Sequence, residues 1–234
     1  MNVITLASRK GGAGKSTLTA QLAAQAHALG KRVLVIDADP QASLTLWHSR
    51  RAQDGLRLVT PERGLDRALA FAMIEGTDYV FIDTAPTTWV VVQEAIRVAT
   101  MVIIPARPGF FDLAAVAETV KACRERDKPY AVVINAAPVK REVKETALVT
   151  QSRNYFDERQ IPVWAGQISQ RAGYQSTLAA GASAAEIGPS TPAGAEIAQL
   201  WSAIERSIEA INAAQFEPGQ PANVDAAMTG RQVA

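Results

Sequence analysis

The chain has a single cysteine, Cys123, among its 234 residues. No disulfide framework and no cysteine-built metal site can form within one copy, and a reducing cytoplasm is the natural setting. An excess of one charge is lacking too. Lys and Arg number 24 against 23 Asp and Glu. Net charge therefore argues for no partner, and any nucleic-acid surface has to be a local patch. No apolar run approaches the roughly 18 residues needed to cross a bilayer. The opening "MNVITLASRK" is too short, and too soon followed by glycines, to read as a secretion signal. No stretch repeats internally. Residues 215–234 carry two prolines, two glycines and little apolar periodicity, so they read as a flexible tail. That tail also lacks the basic amphipathic helix with which a chain lies on a membrane, so no membrane partner is expected.

What is present is a core. Hydrophobic residues make up 48% of the chain, enough for one domain over residues 1–214. Short apolar runs occur at 3–7, 32–37, 56–59, 79–83, 101–106, 130–135 and 163–168. Most are continuous rather than alternating, as in strands buried on both faces. Helix-length stretches fall between them, near 15–29, 41–53, 62–75, 88–99, 112–127, 142–160 and 171–180, with a last one from about 192 to 214. This alternation predicts an α/β fold: a mostly parallel, twisted sheet of about seven strands with helices on both faces.

Behind the first run lies "SRKGGAGKSTLTAQLA". Gly11, Gly12, Ala13 and Gly14 let successive backbone N–H groups turn towards phosphate oxygens, where larger side chains would block the approach. The helix opening near Lys15 adds its positive end. Lys15 is placed to bridge the outer phosphates, Ser16 to ligate Mg²⁺ and Thr17 to add a phosphate contact. The usual spacing wants a first glycine where Arg9 stands, and a second lysine, Lys10, lies inside this departure. "VLVIDADPQ" puts Asp37 and Asp39 at the end of the second buried run, and "YVFIDTAP" puts Asp83 at the end of the fourth. Strand C-termini of a parallel sheet gather on the edge that carries the phosphate loop. Asp37 and Asp83 are then candidates to hold Mg²⁺ through its waters, and Asp39 to orient or deprotonate an attacking water. Each carboxylate could instead cap the helix that follows it.

"KGGAGKST", "VIDADPQAS" and "FIDTAP" together resemble the deviant Walker-A ATPases of the ParA/MinD group, P-loop NTPases in fold. The resemblance runs from residue 1 to about 212, nearly the whole folded part, and is nearest to small ParA-type partition proteins. It implies an ATPase that uses ATP and Mg²⁺, is weak alone and is stimulated by a partner. It also gives Lys10 a role, in which the side chain reaches across a two-fold axis to ATP held by the other subunit and the nucleotide becomes the adhesive of a homodimer. Lys10, Lys15 and Asp39 become the catalytic set. Asn135, ending the sixth run, falls where members contact adenine, and backbone near 168–170 completes that pocket.

The resemblance further implies non-specific DNA binding by the dimer, a nucleoid-associated cytoplasmic location, and a centromere-binding adaptor that triggers hydrolysis. Residues 121–171 carry ten basic and six acidic side chains, a modest asymmetry in the right direction. Arg171, Lys140, Arg141 and Lys144 are the candidate DNA contacts. A second family arginine is absent, since Ala193 stands in its place. Two other readings stay open: the same switch positioning a protein cluster, and a metabolic ligase-type P-loop enzyme.

Overall fold

The computed structural model describes residues 1–140 and 144–216. Six strands form one sheet: β1 (Asn2–Leu6), β2 (Val33–Ala38), β3 (Arg57–Val59), β4 (Tyr79–Thr84), β5 (Met101–Ala106) and β6 (Tyr130–Ile134). Their order is β3-β2-β4-β1-β5-β6, and every pairing is parallel. The buried runs of the sequence thus become strands covered on both faces, as parallel sheets require.

Nine helices accompany the sheet among the described residues: α1 (Lys15–Ala28), α2 (Ser43–His48), α3 (Leu65–Ile74), α4 (Trp89–Val98), α5 (Phe110–Arg124), α6 (Ala147–Asp157), α7 (Ala172–Ala179), α8 (Ala184–Ile187) and α9 (Pro192–Phe216). Alternate strand residues serve opposite cores. Ile4, Leu6, Val35 and Phe81 pack with α1, α2, α8 and α9, while Val102, Ile104 and Val132 pack with α4, α5 and α6. A third cluster sets Val80 and Ile82 against α3. α1 is buried almost all round from Leu18 to Ala26, because it lies between the sheet and the α8–α9 layer.

The run 163–168 does not become a seventh strand. Only isolated parallel bridges form, Val132 with Val163 and Ala137 with Ser169. Between them, the carbonyls of Trp164, Ala165 and Gly166 accept hydrogen bonds from the Arg153 guanidinium at 2.8, 3.0 and 2.7 Å. The segment bulges between its bonds from Trp164 N to the Val132 carbonyl and from Ile168 N to the Ile134 carbonyl, and a side chain satisfies the carbonyls this leaves. The reverse miss is α8. Its signal is local and readable: Ser183 and Glu186 close a capping box.

β1 sits inside the sheet, with β4 on one side and β5 on the other. The next strand in the chain, β2, lies beyond β4. The chain therefore leaves β1 where successive connections diverge, the place at which open α/β sheets bind ligands.

Candidate functional site

The turn from β1 into α1 builds the site. Gly12 and Gly14 have φ of +71° and +98°, a left-handed backbone that favours glycine. A Cβ at Gly14 would also run into the Asn135 side-chain amide. That amide is what holds the loop: Asn135 Nδ2 donates to the Ala13 carbonyl at 2.7 Å, and Asn135 is buried. The first turn of α1 carries no side-chain cap and no acidic residue, so its free N–H groups are available to an anion.

Lys15 is buried, 5% exposed. Its Nζ donates one long bond, 3.5 Å, to the Lys10 carbonyl. Burial lowers its pKa, while the charges of Asp83 and Asp39 oppose that fall. The Lys10 ammonium makes no recorded bond or ion pair among the described residues and is half-exposed. Arg9 leaves the loop altogether, pairing with Glu118 at 2.8 Å and lying over the Trp89 ring.

Strand register brings the carboxylates together. Asp37 of β2 stands directly opposite Asp83 of β4, which in turn faces Leu6 of β1. Asp83 is fully buried and neither of its oxygens has a satisfying hydrogen bond. Burial pushes its pKa up to about 7, with Asp37 and Asp39 adding to the rise. The nearby Ser16 hydroxyl and the Lys15 charge oppose it, although Ser16 does not close a bond of good geometry. Asp37 also does the capping work the sequence left open: its Oδ2 accepts from Thr45 N at 2.9 Å and Thr45 Oγ1 at 2.8 Å, in the first turn of α2. Asp39 accepts from Gln41 N through Oδ1 alone, at 2.9 Å.

A cleft of about 560 Å³ opens over this loop. Gly11, Gly12, Gly14, Lys15, Ser16, Thr17 and Asp39 line it, and it extends to α2 and α7. Arg107, at the end of β5, lines it as well. Asn135 does not line this cleft; its place is behind the loop.

The donor set fits Mg²⁺ in one way only. Asp83 is an orphaned buried carboxylate beside Ser16 and Asp37, yet no group of three His, Cys, Asp or Glu among the described residues can hold a metal alone. An ion here needs further oxygens, from phosphate and water, which is how Mg²⁺ is usually bound. The arrangement can take a polyphosphate with its cation.

The model of the CobQ/CobB/MinD/ParA nucleotide binding domain matches residues 4–184. The chain belongs to this family. Among its ParA/MinD relatives, the chromosome-partitioning ATPase Soj of Thermus thermophilus is 32% identical over 152 residues, covering 52% of this chain and 61% of that protein. The maintenance of carboxysome distribution protein A of Gloeobacter kilaueensis is 33% identical over 120 residues, 50% of this chain and 55% of that protein. The chain thus spans little more than half the length of these relatives. A solved MinD from Pyrococcus horikoshii, complexed with Mg-ADP, superposes with a TM-score of 0.67 at 15% identity, covering 88% of this chain and 96% of that one. At that identity the likeness is one of fold: the α/β ParA/MinD architecture, here with six strands.

The candidate DNA residues are scattered in their commitments. Arg171 is paired with Glu196 at 3.0 Å, and Glu196 also accepts from Ser169 N and Tyr174 OH. Lys140 lies 3.7 Å from Glu145. Lys144 is exposed. Arg141 lies outside the described residues, as do residues 217–234 of the expected tail. Other basic residues of this stretch have partners within the chain: Arg153 pairs with Glu145, and Arg124 binds the Gln160 carbonyl and the Tyr130 hydroxyl.

Proposed function

We propose that the protein is an ATPase that dimerises around ATP, binds DNA without sequence preference in that state, and positions a plasmid or chromosomal cargo. The observation that carries this reading is a buried Lys15 and an unpartnered buried Asp83 beneath a loop free of bulky side chains. Neither charge has a full complement of partners, and Mg·ATP supplies both. In this reading the N–H groups of 11–17 and Lys15 hold the phosphates, and Ser16, with Asp37 and Asp83 behind it, holds Mg²⁺ and its waters. When bound, the metal offsets charge on the phosphate oxygens. Asp39 orients the attacking water and accepts its proton through the oxygen that Gln41 leaves free. Lys10 serves the partner's nucleotide, which agrees with an ammonium that finds no acceptor among the described residues. The dry interface makes that cation strongly stabilising.

The partition relatives support a role in positioning. Lys144, Lys140 and Arg141 are the candidate phosphate contacts on DNA, whereas Arg171 would have to leave Glu196. DNA binding would place the dimer on the nucleoid in the cytoplasm, and a centromere-binding adaptor would stimulate hydrolysis and so release it. No described helix is long and apolar enough to cross a membrane. The decisive experiment measures mass in solution with ATP, ADP and no nucleotide, then ATP turnover with DNA and with the product of the neighbouring gene. An ATP-specific dimer that retards DNA supports the reading; a single chain under all conditions overturns it. The carboxysome-distribution relative favours a second reading, in which the cargo is a protein cluster; an adaptor that binds such a cluster and no DNA would select it. A ligase-type member would turn over ATP only with a small acceptor substrate.

A further inference from the structure

Of four arginines that lie on the loop, in the cleft or just after α2, three are already engaged. Arg9 is held by Glu118 and Trp89. Arg50, at the far end of the cleft, reaches the Ala179 carbonyl at 3.5 Å. Arg51 is buried against Glu186. Arg107 differs. It is exposed, it lines the cleft, and its side chain makes no recorded hydrogen bond, ion pair or ring contact among the described residues. Sheet order explains its position: β5 is the immediate neighbour of β1, so the residue just past its end emerges beside the loop. A methyl built on Gly12 would come within 4.0 Å of the Arg107 guanidinium.

We propose that Arg107 binds the terminal phosphate of the nucleotide and lets the site tell a triphosphate from a diphosphate. The inference rests on the reading that ATP occupies this cleft. Ser16 and Thr17 open α1, where the inner phosphates meet the free N–H groups. Gly12 lies at the other end of the loop, at its exposed lip. Asp39, which acts at the terminal phosphate, lines the same cleft. Charge points the same way. Mg-bound ADP carries roughly −1, which Lys15 and the helix end, worth about +0.5, offset. Mg-bound ATP carries roughly −2, one negative charge more in the same surroundings, so the triphosphate calls for cations that the diphosphate does not; the partner's Lys10 supplies one only in the dimer, and Arg107 supplies one within the protomer itself. A guanidinium suits that place because its planar fork pairs with two phosphate oxygens at once.

The test is calorimetric titration of wild type, Arg107→Ala and Arg107→Lys with a slowly hydrolysed ATP analogue and with ADP, each with Mg²⁺. An exposed side chain with no partner among the described residues can be removed without disturbing the fold, and thermal unfolding checks this. The alanine variant is expected to bind the triphosphate about 10- to 100-fold more weakly, the worth of a charge-assisted bond. Its ADP affinity should stay within about twofold, and lysine should restore part of the loss. Triphosphate affinity within twofold of wild type, or an ADP affinity that falls in step, overturns the inference. If wild type binds neither nucleotide, the underlying reading fails instead.

Discussion

Asp83 is the residue at which stability and the proposed function oppose each other most directly. A fully buried carboxylate with two unsatisfied oxygens costs folding free energy whenever it is ionised. Asp83→Asn should therefore raise the thermal midpoint of the nucleotide-free protein at pH 8, where the native carboxylate is charged. The same change should weaken the Mg²⁺ dependence of ATP binding; a variant no more stable than wild type would show that another group relieves the strain. Asp39 carries the opposite expectation. It is half-exposed and spends one oxygen on Gln41, so Asp39→Ala should leave folding nearly unchanged and lower turnover by about 10²- to 10⁴-fold. Light scattering should then find an ATP dimer that persists for hours. Undiminished turnover would remove Asp39 from the mechanism. Both carboxylates could be picked out in the sequence by their position after a buried run. Asn135 could be picked out too, but its partner could not, because its bond to Ala13 spans 122 positions of the chain.

Among the elements, α2 ties the cleft to the α8–α9 layer. Its C-terminal end carries Trp47, whose indole donates to the Ala182 carbonyl at 3.2 Å, and leads into Arg51. Arg51 and Glu186 form a pair whose side chains are each 3% exposed. Burial alone would raise the Glu186 pKa, but the Arg51 guanidinium and the Ser183 contacts hold it below the ordinary carboxylate value. A depressed acid stabilises the fold above its unfolded pKa and loses that contribution as pH falls through the folded value. Glu186→Gln strands a buried guanidinium and should cost about 3–5 kcal/mol at pH 7. The gap from wild type should shrink in acid, as pH falls through the depressed folded value and the native glutamate takes up its own proton. Urea unfolding at both pH values reads this directly, and a pH-independent gap would mean that packing, not charge, is lost. The capping box that starts α8 was legible as Ser183-x-x-Glu186, whereas the buried partner of Glu186 was not. The seventh apolar run looked like its six predecessors but bulges away from β6, four residues from Trp164 to Ile168 spanning Val132 to Ile134, and Arg153 of α6 satisfies the carbonyls of the bulge.

For the whole molecule, the proposed switch is mass action through a shared nucleotide. Lys15→Ala should abolish ATP-dependent dimerisation, read by size-exclusion chromatography with light scattering; an ATP-driven dimer in that variant would count against the design. If each protomer contacts about three DNA phosphates, the salt slope of binding should steepen from about −3 towards about −5 on pairing. A slope that is the same with ATP and with ADP would separate DNA binding from the switch.

Local chemistry pointed to the phosphate loop, to most of the strand–helix alternation and to the family resemblance, because glycine backbone freedom, buried apolar runs and a Lys-Ser pair act over a few neighbouring residues. Tertiary structure alone decided who meets whom. The register of β2 on β4 sets Asp37 against Asp83. The placement of β5 beside β1 delivers Arg107 to the loop. The packing of α9 gives Arg171 to Glu196 rather than leaving it free. Those partners lie far apart in the chain, and no local spacing encodes a contact that only the strand order creates.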